Sequence, residues 1–273
     1  MHHDRVRRLL SINGTHYASC SWDYSDNLKL WSKNDFIEIC NFEGHTNSVN
    51  AIILLNETIM VSGSTDGTIH FWDISKCDSS KNLKSYRNIS IGKTIESLSM
   101  ITDTDYLVGG LDNGNLVLVN INDNENQLPK LLKTSHTGKV SDLEYFDKTK
   151  LLASASYDNY IFIINMTNPL NDVLVKKLNN HTSKQFTLSY IQNYLISGDW
   201  DGHVCLWNTT DWSHVKTLEG HGDEPITSFL YDNETDALYI GSWDRNIRVW
   251  NITTGKLLTT FNTQSVIWSM IEI

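Results

Sequence analysis

The sequence predicts an all-β protein built from repeated four-stranded antiparallel sheets. Apolar and polar residues alternate over short runs such as 68–72 (TIHFW), which is the pattern of a strand with one buried face. A longer sequence pattern that contains such a run recurs six times along the 273 residues. No stretch has the periodicity of a long amphipathic helix. Each copy accordingly supplies four strands and no helix.

The composition excludes several classes of protein. An apolar fraction of 40% with 20% charged residues supports a packed core and argues against a disordered chain. The 22 Lys and Arg residues against 32 Asp and Glu residues give a net charge of −10. Because nucleic-acid binding depends on excess positive charge, no nucleic-acid partner is expected. The acidic balance suits a basic protein or peptide partner instead.

The chain ends and the cysteines predict the compartment. There is no run of 18 or more apolar residues, so no membrane contact is expected, and the N-terminus lacks the pattern of a secretory signal. Both observations favour the cytoplasm or the nucleus. The cysteines are widely spaced, so we expect neither a zinc site nor a disulfide framework. They are Cys20, Cys40, Cys77 and Cys205.

Each copy of the repeat has an apolar pair, a small Ser/Gly stretch, a turn, and a strand that ends in Trp or a substitute. The clearest copies are 61–73 (VSGSTDGTIHFWD) and 196–208 (ISGDWDGHVCLWN). The strand ends lie 41, 47, 45, 43 and 43 residues apart. They are Trp31, Trp72, Val119, Ile164, Trp207 and Trp250.

This period and motif, with Gly-His pairs such as Gly44-His45 and Gly220-His221 before two copies, resemble the WD-repeat (Trp-Asp) family of β-propellers. The resemblance covers nearly the whole chain. It implies a single propeller domain over 1–273, with four-stranded antiparallel blades around an axis. The repeats span approximately 1–44, 45–92, 93–135, 136–180, 181–220 and 221–264, followed by a partial copy over 265–273.

The last nine residues repeat the first-strand pattern, so the chain has six full repeats and the first strand of a seventh. Two designs remain open. One is a six-bladed ring with an extra strand, and the other is a seven-bladed design that lacks three strands. The second is favoured, and it would leave an unpaired strand edge.

The resemblance also implies a buried hydrogen-bonded set of His, Ser, Asp and Trp within a blade. Buried imidazole, carboxylate and indole groups must satisfy one another or carry a desolvation cost. The copy that ends at Val119 has lost the set, and His2 is the residue that the spacing suggests for the first copy. The set comprises His45, Ser62, Asp66 and Trp72 in the second repeat, and His181, Ser197, Asp201 and Trp207 in the fifth.

Catalytic motifs are lacking: the sequence contains no GxxxxGK[ST], GxSxG or HExxH. Ser, His and Asp recur at the period of the blades, which indicates structure because a catalytic set need occur only once. We therefore expect no enzyme activity, no catalytic residues, no cofactor and no metal. His70 and His203, which lie in strands without a ligand partner at a readable spacing, are expected to be solvated.

The residue before the turn Asp of each repeat is the predicted partner-binding position. In WD-repeat propellers this turn lies on the face around the entrance to the central channel, so the resemblance implies a partial aromatic ring there. Exposed aromatic residues are typical anchors of protein interfaces. The alternative is that each Trp packs over the loop of the neighbouring blade. The positions are Trp22, Thr65, Asp112, Tyr157, Trp200 and Trp243.

These observations predict a non-catalytic interaction scaffold or adaptor that docks a protein or peptide and belongs to a multiprotein complex. The resemblance fits the propellers of ubiquitin-pathway adaptors and of G-protein-β-like scaffolds equally. The alternative is a regulatory or substrate-recognition propeller fragment of a larger protein. A propeller enzyme is a remote third alternative.

Overall fold

The computed structural model describes residues 2–24, 27–77, 82–122 and 128–271. The predicted repeats also contain 1, 25–26, 78–81, 123–127 and 272–273, which lie outside the described residues. Strands dominate the secondary structure, and a short 3₁₀ helix covers Ile74–Lys76. Within the described residues no helix is long and apolar enough to cross a membrane.

Six sheets follow one another along the chain, and each contains four antiparallel strands in sequence order. We number these sheets blades 1 to 6. The all-β propeller class predicted from the sequence is thus confirmed.

Blade 1 contains β1 (Val6–Ile12), β2 (His16–Ser21), β3 (Leu28–Ser32) and β4 (Glu38–Glu43). Blade 2 contains β5 (Val49–Leu54), β6 (Ile59–Ser64), β7 (Thr68–Asp73) and β9 (Arg87–Ser90). The short strand β8 (Leu83–Lys84), which lies between β7 and β9 in the chain, pairs in parallel with β4 and adds a fifth strand to blade 1. Blade 3 contains β10 (Ile95–Ile101), β11 (Tyr106–Leu111), β12 (Leu116–Asn120) and β13 (Lys130–Leu131).

Blade 4 contains β14 (Val140–Phe146), β15 (Leu151–Ser156), β16 (Ile161–Asn165) and β17 (Val173–Leu178). Blade 5 contains β18 (Gln185–Ile191), β19 (Tyr194–Asp199), β20 (Val204–Asn208) and β21 (His214–Leu218). Blade 6 contains β22 (Ile226–Asp232), β23 (Ala237–Ser242), β24 (Asn246–Asn251) and β25 (Lys256–Asn262).

The chain divides into two compact units. One unit spans the residues up to Leu131, together with Ile271, and holds blades 1 to 3. The other spans Leu132–Met270 and holds blades 4 to 6. In both units the hydrophobic clusters join consecutive blades, because each sheet has two apolar faces that need a partner sheet.

Glycine in the second strand allows the next blade to approach. A Cβ atom on Gly198 would lie 2.5 Å from the Ile226 side chain, and one on Gly63 would lie 2.5 Å from Ile95. Both distances are too short for real atoms, so any larger residue would force the two blades apart.

The tail that follows β25 packs on blade 6 as a first strand packs on the blade before it. The Ile267 amide donates to the Ser242 carbonyl at 3.1 Å. A Cβ atom on Gly241 would lie 2.6 Å from Ile267, which repeats the relationship between Gly198 and Ile226. The described residues of 265–271 nevertheless have no strand assignment. The predicted terminal strand is therefore seen only as a docked extended segment.

Candidate functional site

Blade 2 holds the buried polar set in the arrangement that the repeat implies. Nδ1 of His45 lies 2.9 Å from Oδ2 of Asp66, and Nε2 lies 2.7 Å from Oγ of Ser62. The Trp72 indole donates to the same Ser62 oxygen at 2.8 Å. Each of these four side chains thus has a partner, which avoids the desolvation cost of an unpaired group.

Asp66 is strongly acidic in this environment. Burial raises the pKa of its carboxyl group, but hydrogen bonds from His45 and Thr68 outweigh burial and hold the pKa well below its usual range. The Thr46 amide also donates to Asp66, at 2.9 Å. The carboxylate therefore joins the segment before the first strand to the turn between the second and third strands.

Blade 5 departs from the expected set at one position. The carboxylate of Asp199, and not that of Asp201, lies 2.9 Å from Nδ1 of His181. Asp199 stands at the end of β19, where blades 2, 4 and 6 have a serine. The remaining expected contacts are present, since Ser197 lies 2.6 Å from His181 and accepts from Trp207 at 2.8 Å.

The Asp199 carboxylate changes the protonation of its partner. Burial lowers the pKa of His181, but the hydrogen bond with Asp199 and the neighbouring Cys205 outweigh it and raise the pKa to about 9. Asp201 contributes only its backbone amide, which donates to Oδ1 of Asp199 at 3.1 Å. The side chain at 201 has no part in the set because the position at 199 already supplies the carboxylate.

Three other blades contain versions of the set. In blade 1, Nε2 of His2 lies 2.6 Å from Oγ of Ser19, which also accepts from the Trp31 indole at 2.7 Å. In blade 4, His136 contacts Ser154 at 2.9 Å and Asp158 at 2.9 Å. Blade 6 pairs His221 with Asp244 at 3.1 Å. Blade 3 has Val119 buried at the Trp position.

The sequence did not reveal the residue that covers the buried histidine. It lies in the middle of the third strand, opposite the serine position: His70 pairs with Ser62, Phe162 with Ser154, and Cys205 with Ser197. His70 is only 5% exposed and its ring lies 4.1 Å from that of His45, so the expectation of a solvated His70 was wrong. His203 has a side chain that is 40% exposed.

Two histidines at or beneath this covering position have lowered pKa values. Burial, together with the neighbouring His45, lowers the pKa of His70 to about 4. In blade 6 the covering residue is Arg248, which contacts both His221 and Asp244. Burial and this guanidinium, opposed by Asp244, lower the pKa of His221 to about 4.

Two of the four cysteines are paired. A disulfide joins Cys40 of β4 to Cys77, which follows the 3₁₀ helix of blade 2, and the spacing of the cysteines did not indicate this single bond. Cys20 and Cys205 are free and buried. In the described parts of the chain, no group of three or more His, Cys, Asp or Glu residues could hold a metal ion.

The six predicted partner-binding positions share one backbone position. Each amide donates to the carbonyl of the residue that precedes the first strand of its own blade, as Thr65 does to Ser48 at 3.0 Å and Trp200 does to Lys184 at 2.9 Å. In the same way, the amide donates to the carbonyl from Trp22 to Arg5, from Asp112 to Thr94, from Tyr157 to Lys139 and from Trp243 to Pro225.

Three of these residues come together in the unit of blades 4 to 6. The ring of Trp200 lies edge-on to Tyr157 at 5.9 Å and to Trp243 at 5.3 Å between centroids. Trp268 of the tail continues the series, 4.8 Å from Trp243. We name Tyr157, Trp200, Trp243 and Trp268 the aromatic row. All four are half-buried, so the rings pack on one another and still reach solvent.

Lysines and acidic residues border the aromatic row. The Lys184 ammonium lies 5.4 Å from the Tyr157 ring and 5.6 Å from the Trp200 ring, and Lys139 lies 5.4 Å from Tyr157. Asp223 and Glu224 are exposed in the segment that leads to Pro225, the residue bonded to the Trp243 amide. Positive charge thus lies beside Tyr157 and Trp200, and two exposed acidic residues directly precede the residue that is bonded to Trp243.

The remaining predicted positions lie in the unit of blades 1 to 3 and do not form such a row. Trp22 is half-buried, with the Arg5 guanidinium 5.5 Å from its ring. Thr65 is exposed and accepts from the Asn50 side chain at 3.0 Å, and Asp112 is exposed. An aromatic cluster therefore forms only where the chain has aromatic residues in consecutive blades.

Comparison with known proteins identifies relatives that match more than half of this chain. Human WD repeat-containing protein 41 is 23% identical over 228 residues, which is 78% of this chain and 46% of that protein. The B-type cell cycle switch protein ccs52A of Medicago truncatula is 26% identical over 169 residues, covering 59% of this chain and 33% of that protein. The chain spans less than half the length of either relative.

A solved structure shows the same fold. The computationally designed Ika8 protein superimposes with a TM-score of 0.76 at 23% identity, over 100% of this chain and 79% of the designed chain. The similarity extends through all six blades.

A family model described as WD domain, G-beta repeat matches residues 36–73, 129–165, 172–208 and 212–251, which is more than half of the chain. The match and the relatives imply a propeller that acts as an interaction scaffold or regulator, in a family that is generally non-catalytic. The resemblance inferred from the Trp, Asp and His spacing is confirmed, and the chain belongs to the WD domain, G-beta repeat family.

Proposed function

We propose that this chain is a non-catalytic interaction scaffold that docks a partner protein or peptide on the aromatic row. The observation that carries the proposal is the unbroken contact from Tyr157 through Trp200 and Trp243 to Trp268, with every ring half-buried. Packed, partly exposed aromatic rings offer large contact area with little entropy left to lose.

The overall charge of −10 supports a basic partner. A basic residue of the partner fits best near Trp243, since Asp223 and Glu224 are exposed in the segment bonded to its amide. The Lys139 and Lys184 end suits an apolar or acidic part of the same partner.

The test uses a partner identified by affinity purification with mass spectrometry and then purified. Trp200→Ala and Trp243→Ala should each weaken its binding by more than ~1 kcal/mol. Phe261→Ala is the matched control, since Phe261 is an aromatic residue of β25 that is 52% exposed and lies outside the row. Unchanged binding by well-folded row variants would remove the proposal.

A second candidate function is a regulatory or substrate-recognition propeller of a larger protein, for example a ubiquitin-pathway adaptor. It is supported by the similarity to the cell cycle switch protein ccs52A, of which this chain spans 33%. Purification of the protein at its natural abundance distinguishes the two. Stable association with ubiquitin-ligase subunits supports the regulator, and association with other assemblies alone supports the general scaffold.

The proposed compartment is the cytoplasm or the nucleus. There, thiols are kept reduced, so we expect the disulfide between Cys40 and Cys77 to be reduced in cells. Alkylation of intact cells before lysis measures this state. Full protection of both thiols in intact cells would place the protein in an oxidising compartment instead.

A further inference from the structure

An open pocket lies between blades 1 and 2, in the unit of blades 1 to 3, and it is separate from the aromatic row. Its volume is about 320 Å³. Aliphatic side chains form the walls, with Ile12 and Leu30 from blade 1 and Ile74 from the 3₁₀ helix of blade 2. His16 and the exposed Glu57 also line it. The pocket thus combines apolar walls with a few polar side chains, which is typical of a binding site.

The corresponding corner between blades 4 and 5 is filled. Trp212, in the turn between β20 and β21, packs edge-on against Phe146 with ring centroids 5.5 Å apart, and it is only 8% exposed. Phe146 is the last residue of the first strand of blade 4. Ile12 holds the same place in blade 1, so the two corners are built from equivalent positions of the repeat.

Blade 2 supplies no such aromatic residue. The turn that carries Trp212 in blade 5 is replaced in blade 2 by the 3₁₀ helix of Ile74–Lys76. Ile74 is buried at the edge of the corner, and Cys77 reaches its wall. These smaller side chains leave the space that an indole occupies between blades 4 and 5.

We propose that this pocket binds one aromatic side chain of a partner protein, in the way that the corner between blades 4 and 5 holds Trp212. The volume lies at the lower end of the range for ligand sites, which suits a single ring system. Burial of an aromatic ring against aliphatic walls gives the favourable energy.

The first experiment uses N-acetyl-L-tryptophanamide as the probe and the protein labelled at its isoleucine methyl groups. NMR titration should show saturable shifts at Ile12, Ile39 and Ile74, with Ile226 of blade 6 unchanged. N-acetyl-L-leucinamide should bind at least about threefold more weakly, because it lacks the ring. Shifts that are absent, spread over the chain, or equal for the two amides would overturn the proposal.

A pair of substitutions tests whether the pocket itself binds the probe. Ile39→Trp fills the pocket from its wall and should weaken binding about tenfold or more. Ser75→Trp, at an exposed rim position, blocks the entrance and provides the same test if the wall variant does not fold. Val215→Trp places the same indole on the outer strand of blade 5, is the matched control, and should leave binding unchanged.

The comparison with blade 5 gives a second test. Trp212→Ala should open the matching corner, so the probe should raise the melting temperature of this variant more than that of the wild type. An equal effect on both proteins would show that the corner geometry does not select an aromatic ring. Trp200→Ala and Trp243→Ala should leave probe binding in the pocket unchanged, which separates this site from the aromatic row.

Discussion

The imidazole of His181 lies 2.9 Å from the carboxylate of Asp199, which stands two residues before the turn Asp of the repeat. In blade 5 the carboxylate of the buried polar set therefore comes from the last residue of the second strand and not from the turn. The Asp199 side chain is fully buried, and its Oδ1 also accepts from the His203 amide at 2.8 Å. One side chain thus anchors the histidine and closes the turn.

The two aspartates should differ sharply in their effect on stability. Asp199→Asn removes the negative charge beside the buried His181, whose pKa is raised. The free energy of unfolding should therefore fall by about 2–4 kcal/mol. Asp201→Asn is the matched control, and it should change the free energy by no more than about 0.5 kcal/mol. Urea unfolding at pH 7 measures both values. Equal losses in the two variants would show that the assignment of Asp199 is wrong.

Replacement of His70 by Phe should make the protein less sensitive to acid. Among the described residues, Nδ1 of His70 has no hydrogen-bond partner, and blade 4 already has Phe162 stacked on His136 at this position, 3.8 Å between ring centres. His70→Phe therefore removes an unpaired buried polar atom. It should stabilise the fold by about 1–2 kcal/mol at pH 7.

The pH dependence of that variant follows from the lowered pKa. The pKa of His70 is about 4 in the folded state, below the usual value near 6.5 that applies in the unfolded chain. As the pH falls from 6.5 to 4, the unfolded chain therefore binds a proton at His70 that the folded chain does not bind. The wild type should thus lose up to about 2–3 kcal/mol relative to His70→Phe between pH 6.5 and 4. Denaturant unfolding at several pH values gives the difference, and parallel curves would contradict the prediction.

Oxidation of Cys40 and Cys77 should stabilise the first two blades. The disulfide closes a loop between residues 37 apart in the sequence, so its reduction should cost about 2–4 kcal/mol. Guanidinium unfolding with and without dithiothreitol measures the loss. The double variant Cys40→Ser/Cys77→Ser is the control, since its unfolding should not respond to the reductant. A wild-type curve that is equally insensitive would show that the bond does not form in solution.

The repeat made much of the fold predictable. Trp72, Trp207 and the apolar pairs before each turn recur at a period above forty, so the four strands of each blade could be located from alternation and spacing. The shared position of Tyr157, Trp200 and Trp243 followed from the same register. Their edge-on contacts did not, because the distance between neighbouring turns depends on how the blades pack.

The exceptions depend on contacts between segments distant in sequence. The role of Asp199 depends on which of two nearby carboxylates reaches a histidine 18 residues away. His70 is buried because it covers His45, a contact that strand alternation alone does not indicate. Cys40 and Cys77 meet because the chain after the third strand of blade 2 returns to β4, and the spacing of two cysteines carries no sign of that path.

Truncation of Ile267 should release the tail from blade 6. Its side chain lies against Gly241, and its carbonyl accepts a hydrogen bond from Thr227 at 2.6 Å. Ile267→Ala removes half-buried aliphatic surface, so the free energy of local opening should fall by about 1–2 kcal/mol. Faster amide hydrogen exchange at Ile267, whose amide donates to Ser242, is the direct measurement.

The consequence of that release reaches the aromatic row. Trp268 contacts Trp243 only while the tail is docked, so Ile267→Ala should also raise the solvent exposure of Trp243, seen as stronger acrylamide quenching of Trp fluorescence. Val266→Ala is the matched control, because Val266 is exposed and adjacent in the tail. Unchanged exchange and quenching in Ile267→Ala would show that contacts other than Ile267 hold the tail, and that the row does not depend on its docking.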